Sequence, residues 1–236
     1  MRRALPLAIA ACLLAALAPA PARAGGLGQA ISNERTTTVW AHPVLNGPVL
    51  VQPRSGARRV NRLHSHTEDG FREVYVVLRR YRDSGGRTWF KLRLPARPNG
   101  QQGWVSRKAL GALRTVNTRL VIGRRALRAV FYRGGKRIWS APVGVGAPGT
   151  PTPAGRFWIR EGFRVSGNSI YGKFAFGTSA YSVLSDWPGG GVVGIHGTNQ
   201  PQLIPGRPSH GCVRMRNADI TWLASRLPIG TPVRIR

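Results

Sequence analysis

The stretch that decides the fold reads Ile195-His196-Gly197-Thr198 and, after a loop rich in Pro and Gly, Ser209-His210-Gly211-Cys212-Val213-Arg214-Met215. Cys212 is one of only two cysteines in the chain, and two of the five histidines belong to this same stretch. A lone thiol close to histidines is a candidate nucleophile. The stretch therefore predicts cysteine chemistry.

The residue types fit that chemistry. The thiolate is the reactive form of cysteine, and a neighbouring imidazole that takes the proton activates the thiol and holds the resulting ion pair. Two histidines compete for this role: His210 shares one face of an extended chain with Cys212, whereas His196 arrives from a separate strand end. Gly211 lets a substrate carbonyl approach the backbone, whose N–H groups would hold an oxyanion.

Two alternatives need no nucleophile. His196, His210 and Cys212 together would supply three ligands of a zinc site, although no fourth ligand stands nearby in the sequence. A buried, chemically inert cysteine is the other alternative. The residue pattern alone leaves both open.

The same residues resemble a known family. His196-Gly197 followed by Ser209-His210-Gly211-Cys212, with a basic residue two positions further on, is similar to the signature of the YkuD-type L,D-transpeptidases, which cross-link bacterial peptidoglycan. The segment Pro151-Thr152-Pro153-Ala154-Gly155-Arg156-Phe157 resembles the turn and strand that precede this signature in the family. The resemblance covers about residues 115–236.

The resemblance implies a role for each matching residue. Cys212 is expected to be the nucleophile, His196 the general base and acid, and the Gly197 backbone carbonyl the group that orients the base. Tyr181 belongs to an insertion that covers the cleft in the family. The residues expected around the oxyanion and the substrate carboxylates are Ser209, His210, Gly211 and Arg214. No metal and no organic cofactor is expected.

The implied reaction is the formation of 3→3 cross-links. Cys212 would attack the carbonyl between the third residue and D-Ala of a donor stem peptide, release D-Ala and pass the acyl group to an acceptor amine. Carbapenem acylation of the cysteine is implied as well. Two other functions stay open: an L,D-carboxypeptidase that uses water as acceptor, and a non-catalytic protein that binds the wall.

The N-terminus predicts export. Residues 1–24 combine Arg2 and Arg3, an apolar run and the ending Ala22-Arg23-Ala24, which are typical of a cleaved signal peptide. Cys12 lies inside the apolar run and not after it, which argues against a lipid-modified cysteine. No later segment is long and apolar enough to cross a membrane. The protein is therefore expected outside the cytoplasm, in the cell wall or the periplasmic space.

The net charge of the chain indicates which classes of binding partner to expect. The chain carries 36 Lys and Arg against 8 Asp and Glu, a formal net charge of +28. Nucleic acid is the first partner that such a charge suggests, but export and the dispersed basic residues argue against it. Peptidoglycan stem peptides are the expected substrate, and anionic wall polymers are a further expected partner.

The first half of the mature chain predicts a small β-barrel. Residues 25–37 are small and polar and are expected to form a linker. Short apolar segments separated by turn signals follow over 38–111, and the alternation in Trp89–Leu94 is typical of a half-buried strand. Gly103-Trp104-Val105 resembles the last strand of bacterial SH3-like modules. His64-Ser65-His66 is either an exposed loop or a contact for metal or phosphate.

Residues 115–236 predict a catalytic domain of strands with one helix. Two strands around Gly134-Gly135 are expected to form a hairpin. Asn217 is expected to cap a helix whose apolar face shows Ile220, Leu223 and Leu227. The fold class is thus mainly β: a YkuD-type catalytic domain, sandwich-like or barrel-like, with one C-terminal helix behind a small SH3-like barrel.

Overall fold

The structure, a computed structural model, describes residues 27–167, 169–186 and 188–236. The predicted signal peptide at 1–24 lies outside the described residues. Strands in two sheets dominate the described part, so the predicted mainly β fold is confirmed. In these ranges no helix is long and apolar enough to cross a bilayer.

The first sheet contains the N-terminal strands, and all of its pairings are antiparallel. Its strands are β1 (Gln29–Ala30), β2 (Thr38–Ala41), β3 (Pro48–Leu50), β4 (Arg59–Arg62), β5 (Tyr75–Arg82), β6 (Thr88–Arg93), β7 (Gln102–Ser106) and β8 (Arg114–Val116). Their order is β4-β3-β7-β6-β5-β2-β8, and β1 pairs with β5. The sheet has its own apolar core, which includes Leu63, Tyr75, Phe90 and Leu92.

The first sheet extends beyond the expected boundaries of its segment at both ends. Within the segment predicted as a linker, β1 pairs with β5, and the Asn33 side chain accepts hydrogen bonds from three successive backbone N–H groups. Glu34 forms an ion pair with Arg93 of β6. At the other end, β8 pairs with β2 although the catalytic domain was expected to begin at residue 115. Backbone pairing and polar contacts therefore attach both ends to the first sheet.

The second sheet is mixed and carries the signature stretch. Its strands are β9 (Thr118–Gly123), β10 (Arg128–Arg133), β11 (Lys136–Pro142), β12 (Gly144–Gly146), β13 (Gly155–Arg164), β14 (Phe174–Tyr181), β15 (Val192–His196), β16 (Gly206–Ser209), β17 (Val213–Arg214) and β18 (Pro232–Ile235). Their order is β11-β10-β9-β18-β13-β14-β15-β17-β12-β16. The predicted hairpin is confirmed as β10 and β11, with Gly134 and Gly135 at positive φ in the turn.

One α-helix, α1 (Asn217–Ala224), covers the core of this sheet. The prediction that Asn217 caps it is wrong. Asn217 is the first helical residue, and Arg216 precedes it in an extended conformation without a side-chain cap. Ile220 and Leu223 of the predicted apolar face are buried in α1, whereas Leu227, which is also buried, lies after the helix has ended at Ala224.

The two sheets pack against each other through a buried contact. Trp158 of β13 lies in a cluster with Trp40, Val74 and Val76 of the first sheet, and its indole N–H donates to the Val74 carbonyl at 2.7 Å. Beside it, the Arg160 guanidinium forms a two-pronged ion pair with the Glu73 carboxylate, both almost fully buried. This contact joins the first sheet to the sheet that carries the site.

Candidate active site

Strand pairing places His196 and Cys212 on one face of the second sheet. Parallel pairing of β15 with β17 sets Ile195 opposite Val213 and His196 opposite Arg214. Side chains two apart on a strand share a face, so Gly194 and His196 point the same way. A Cβ atom added to Gly194 would lie 3.6 Å from the His196 ring and 3.8 Å from the Cys212 sulfur. The absence of a side chain at Gly194 thus leaves space beside both groups.

The Cys212 thiol is half-buried and receives one backbone hydrogen bond. The Gly194 N–H donates to its sulfur at 3.4 Å. Burial raises the pKa of the thiol above its ordinary value, because a thiolate would lose solvation. The Gly194 bond and the Arg214 charge lower that pKa without cancelling the rise. The resting side chain is therefore the neutral thiol.

His196 is buried and held by its own backbone neighbour. Its Nδ1 atom lies 2.6 Å from the Gly197 carbonyl oxygen. Because a carbonyl oxygen only accepts, Nδ1 carries the proton and Nε2 is the basic nitrogen. Burial lowers the pKa of His196 to about 4, the Gly197 bond acts in the opposite direction, and the Arg214 charge adds to the lowering. The imidazole is neutral at pH 7.

These two pKa directions correct the expected resting state. The sequence suggested that the imidazole holds a thiolate–imidazolium pair, but burial disfavours the charged form of both groups. A neutral imidazole beside a neutral thiol can still remove the thiol proton as the sulfur attacks. The arrangement therefore favours general-base catalysis over a preformed ion pair.

Direct detection of the thiolate tests this resting state. We expect the thiolate absorbance at 240 nm, taken as the difference between wild type and Cys212→Ala, to be absent between pH 5 and 7 and to appear only as the pH rises beyond about 9, because burial raises the pKa of the thiol. The measurement is a pH titration of the difference spectrum. A thiolate signal already present between pH 5 and 7 would show a preformed ion pair and contradict the neutral pair.

The residues before Cys212 form a hydrogen-bonded turn. The buried Ser209 hydroxyl donates to the Cys212 carbonyl at 2.6 Å and accepts from the Gly211 N–H at 3.2 Å. Gly211 has a φ of +122°, and a Cβ atom there would lie 3.0 Å from the Ser182 hydroxyl. Only glycine fits both conditions. Ser209 and Gly211 thus shape the backbone around the sulfur, and the Gly211 N–H is engaged by Ser209 in this structure.

Arg214 and His210 differ in exposure. Arg214 is half-buried and borders the same cleft as Cys212, and one terminal nitrogen donates to the Gln200 side chain at 3.4 Å. Its buried Nε atom has no partner among the described residues. His210 is exposed and also borders the cleft, while its backbone carbonyl accepts from Ser182 at 3.2 Å. Arg214 therefore offers donors to a bound carboxylate.

Tyr181 lies elsewhere than expected. Its hydroxyl donates to Glu68 and to the Pro95 carbonyl, and the Arg97 guanidinium covers its ring at 4.9 Å, so the side chain faces the first sheet. Tyr171 is the tyrosine that borders the cleft, with its ring 4.9 Å from the His196 ring in an edge-to-face arrangement. Sequence position within the insertion gave no basis for choosing between the two.

Sequence reasoning missed two further residues of the site. The Asn217 side-chain oxygen accepts from the Thr198 N–H at 3.3 Å and from the Lys173 N–H at 3.2 Å, which ties the backbone after His196 to the segment behind Tyr171. Ser182 bonds the turn before Cys212. In the sequence, Asn217 stood out only as a residue type that often caps helices, and this explained its position without a role in the site. Nothing in the sequence distinguished Ser182 from other serines.

The sulfur lies between two clefts. One, of about 470 Å³, is bordered by Ser182, His210 and Arg214. The other, of about 1020 Å³, is bordered by Asp69, Phe163 and Gly177. Both volumes include space open to solvent, and the residues common to the two linings are Tyr171, Val192, His196 and Cys212. Cys212 and His196 thus border both clefts. Within the described ranges no group of three or more His, Cys, Asp or Glu is placed to hold a metal ion.

The fold and site define a mainly β protein with a cysteine and a histidine side by side in an open cleft. Residues 117–235 match the model of the YkuD family, described as the L,D-transpeptidase catalytic domain. The chain belongs to this family.

Curated relatives agree with the assignment. "Probable L,D-transpeptidase YbiS" of Escherichia coli (strain K12) is 31% identical over 137 residues, 51% of this chain and 45% of the relative. YkuD of Bacillus subtilis (strain 168) is 38% identical over 94 residues, 40% of this chain and 51% of the relative. The chain thus spans about half the length of these curated relatives.

Two solved structures are similar over different shares of the chain. A variant of the Enterococcus faecium L,D-transpeptidase has 25% identity and a TM-score of 0.40, over 50% of this chain and 49% of that one. The L,D-transpeptidase from Mycobacterium smegmatis has 14% identity and a TM-score of 0.44, over 82% of this chain and 95% of that one.

Proposed function

We propose that the protein is a peptidoglycan L,D-transpeptidase that forms 3→3 cross-links through a thioester on Cys212. The observation that carries this proposal is the placement of Cys212 and His196 on one sheet face between two clefts. Membership of the YkuD family supports the same reaction class.

In the first half-reaction the Cys212 sulfur attacks the carbonyl that joins the third residue of a donor stem to D-Ala. The Nε2 atom of His196 takes the thiol proton and gives it to the departing D-Ala nitrogen, so that a thioester remains and D-Ala leaves as the amine. The Gly197 carbonyl keeps the proton of the imidazole on Nδ1 and thereby keeps Nε2 available. The group that orients the histidine is thus a backbone carbonyl. In many hydrolases with a catalytic triad, a carboxylate has this role.

Backbone N–H groups of the turn at 209–212 are the proposed donors to the oxyanion. Gly211 permits close approach, and its N–H would exchange its 3.2 Å bond to Ser209 for one to the developing charge. Arg214, with its unpartnered Nε, is the proposed contact of a stem-peptide carboxylate. His210 contributes backbone to this site in the proposal, since its side chain is exposed.

In the second half-reaction the side-chain amine of an acceptor stem attacks the thioester. His196 accepts the amine proton, an amide forms and the thiol is restored. The two clefts support an amine acceptor, because Cys212 borders both of them and each offers a separate place beside the sulfur for one peptide chain. Asp69, one of the chain's 8 acidic residues, borders the larger cleft and complements an ammonium group.

Export and wall association complete the proposal. The signal-like segment at 1–24 and the formal net charge of +28 both suit a protein that works among anionic wall polymers. An SH3-like identity for the sheet over 38–111 is part of this proposal, and its separate antiparallel core supports it.

A product assay separates the candidate functions. Purified wild type and Cys212→Ala are incubated with a disaccharide-tetrapeptide, and the products are identified by mass spectrometry. We expect a dimer that has lost one D-Ala from the wild type and unchanged substrate from the variant. Tripeptide monomer alone would overturn transpeptidation in favour of an L,D-carboxypeptidase. Unchanged substrate with both proteins, together with retention on isolated wall, would favour the non-catalytic binding protein.

A further inference from the structure

The loop between β6 and β7 of the first sheet contacts the connection between β14 and β15 at the site. Arg97 in that loop donates to the Ser182 carbonyl, to the Leu184 carbonyl at 3.0 Å and to the Gly190 carbonyl at 2.9 Å. Asn99 exchanges two bonds with the Tyr181 backbone, at 2.8 and 2.9 Å. One guanidinium thus joins both ends of the connection.

The described part of the connection contains three consecutive glycines. Gly189, Gly190 and Gly191 all adopt positive φ, and glycine loses more backbone entropy on ordering than any other residue. Within the connection, the backbone bond from the Ser182 N–H to the Gly191 carbonyl closes the segment at 2.8 Å. The planar fork of an arginine can satisfy several carbonyl groups at once, so Arg97 supplies contacts that the glycines lack.

A side chain of the connection also binds the turn that precedes Cys212. The Ser182 hydroxyl donates to the His210 carbonyl at 3.2 Å. That carbonyl and the Gly211 N–H belong to one planar trans peptide unit and point in opposite directions. A bond that fixes the carbonyl therefore also fixes the direction of the Gly211 N–H. This N–H is a proposed oxyanion donor.

Tyr181 adds a second anchor at the start of the connection. Arg97 covers its ring at 4.9 Å, and its hydroxyl donates to Glu68 in the loop between β4 and β5 of the first sheet. Arg97 and Asn99 themselves are exposed, so their removal leaves no cavity in either core. The contacts are thus suited to set local geometry at the site without being needed for folding.

We propose that Arg97 and Asn99 are positioning residues for acyl transfer: through the 182–191 connection and Ser182 they hold the peptide unit before Cys212 in the orientation that receives the oxyanion. The first sheet then helps to form the active site, because its β6–β7 loop determines the geometry next to Cys212. This inference rests on the proposed function, because the reaction that it assists is the same acyl transfer.

Kinetics of Arg97→Ala test the role in catalysis. We expect kcat to fall about 10-fold or more with a smaller change in KM, since one misplaced oxyanion donor affects mainly the transition state. Added guanidinium ion should restore part of kcat in Arg97→Ala. Asn99→Ala should also lower kcat. The matched control is Arg54→Ala, which removes an exposed arginine in the loop between β3 and β4 whose side chain donates to the nearby Gln52 side chain at 3.0 Å.

Hydrogen exchange supplies a readout that needs no substrate. In Arg97→Ala the amides of 181–184 and of 210–212 should exchange faster, whereas thermal stability and iodoacetamide labelling of Cys212 stay close to wild type. Unchanged exchange at 210–212 together with unchanged kcat would overturn the positioning role. If the wild type itself shows no turnover but exchange at 210–212 rises in the variant, the proposed function fails and the structural coupling stands.

Discussion

Replacing His196 by Gln should slow acylation of Cys212 by about 10²- to 10⁴-fold at pH 7, the usual contribution of a positioned general base. The effect is expected to be large because burial raises the pKa of the Cys212 thiol, so that little thiolate forms without a base. Glutamine retains a donor for the Gly197 carbonyl and much of the ring's volume, which limits the structural damage. The measurement is the rate of D-Ala release from a tetrapeptide stem.

His210 provides the matched control, since it is the other histidine near the sulfur. His210→Ala keeps the backbone carbonyl that Ser182 bonds and removes an exposed side chain. We expect less than about a tenfold loss, because the base assigned by the geometry is untouched. Equal losses in the two variants, or a larger loss for His210→Ala, would show that the base has been assigned to the wrong histidine.

Glu73→Ala should lower the free energy of unfolding by about 3–5 kcal/mol, because it leaves the Arg160 charge buried without its main partner. Glu73 and Arg160 are 1% and 3% exposed, and the guanidinium bonds both carboxylate oxygens. The pair lies between the two sheets, so the loss acts on their contact. Urea unfolding followed by tryptophan fluorescence measures it, since Trp158 lies in the same contact.

Two companion variants show whether burial is the cause. Glu68 contacts the same guanidinium at 2.9 Å, but its side chain is 31% exposed, so Glu68→Ala should cost about 1 kcal/mol or less. Glu73→Leu combined with Arg160→Met removes both buried charges and should be less destabilising than Glu73→Ala alone. Equal effects of Glu68→Ala and Glu73→Ala would contradict this explanation.

Local sequence patterns predicted those parts of the fold and site that depend on neighbours along the chain. The glycine pair at 134–135 fixes a hairpin turn by its backbone conformation. The apolar spacing of Ile220 and Leu223 predicted the buried face of α1. Cys212 and His196 could be paired because the signature that they share with the YkuD family is long and specific.

The remaining features depend on contacts between residues far apart in sequence. Asn217 has the chemistry of a helix cap, yet its oxygen bonds backbone N–H groups of two other segments. The neutral resting state of Cys212 and His196 follows from burial, which the whole fold determines. The contacts of Arg97 with the 182–191 connection span more than eighty positions and leave no periodic signal in the sequence.

Mass spectrometry of the intact protein during turnover tests the thioester on Cys212 most directly. With a disaccharide-tetrapeptide as donor and no acceptor amine, we expect an adduct of the disaccharide-tripeptide acyl group, located on the peptide that contains Cys212 and released by hydroxylamine. His196→Gln should form the same adduct slowly, and Cys212→Ala should form none. Product formation without an adduct on Cys212, or an adduct on another residue, would contradict the thioester mechanism.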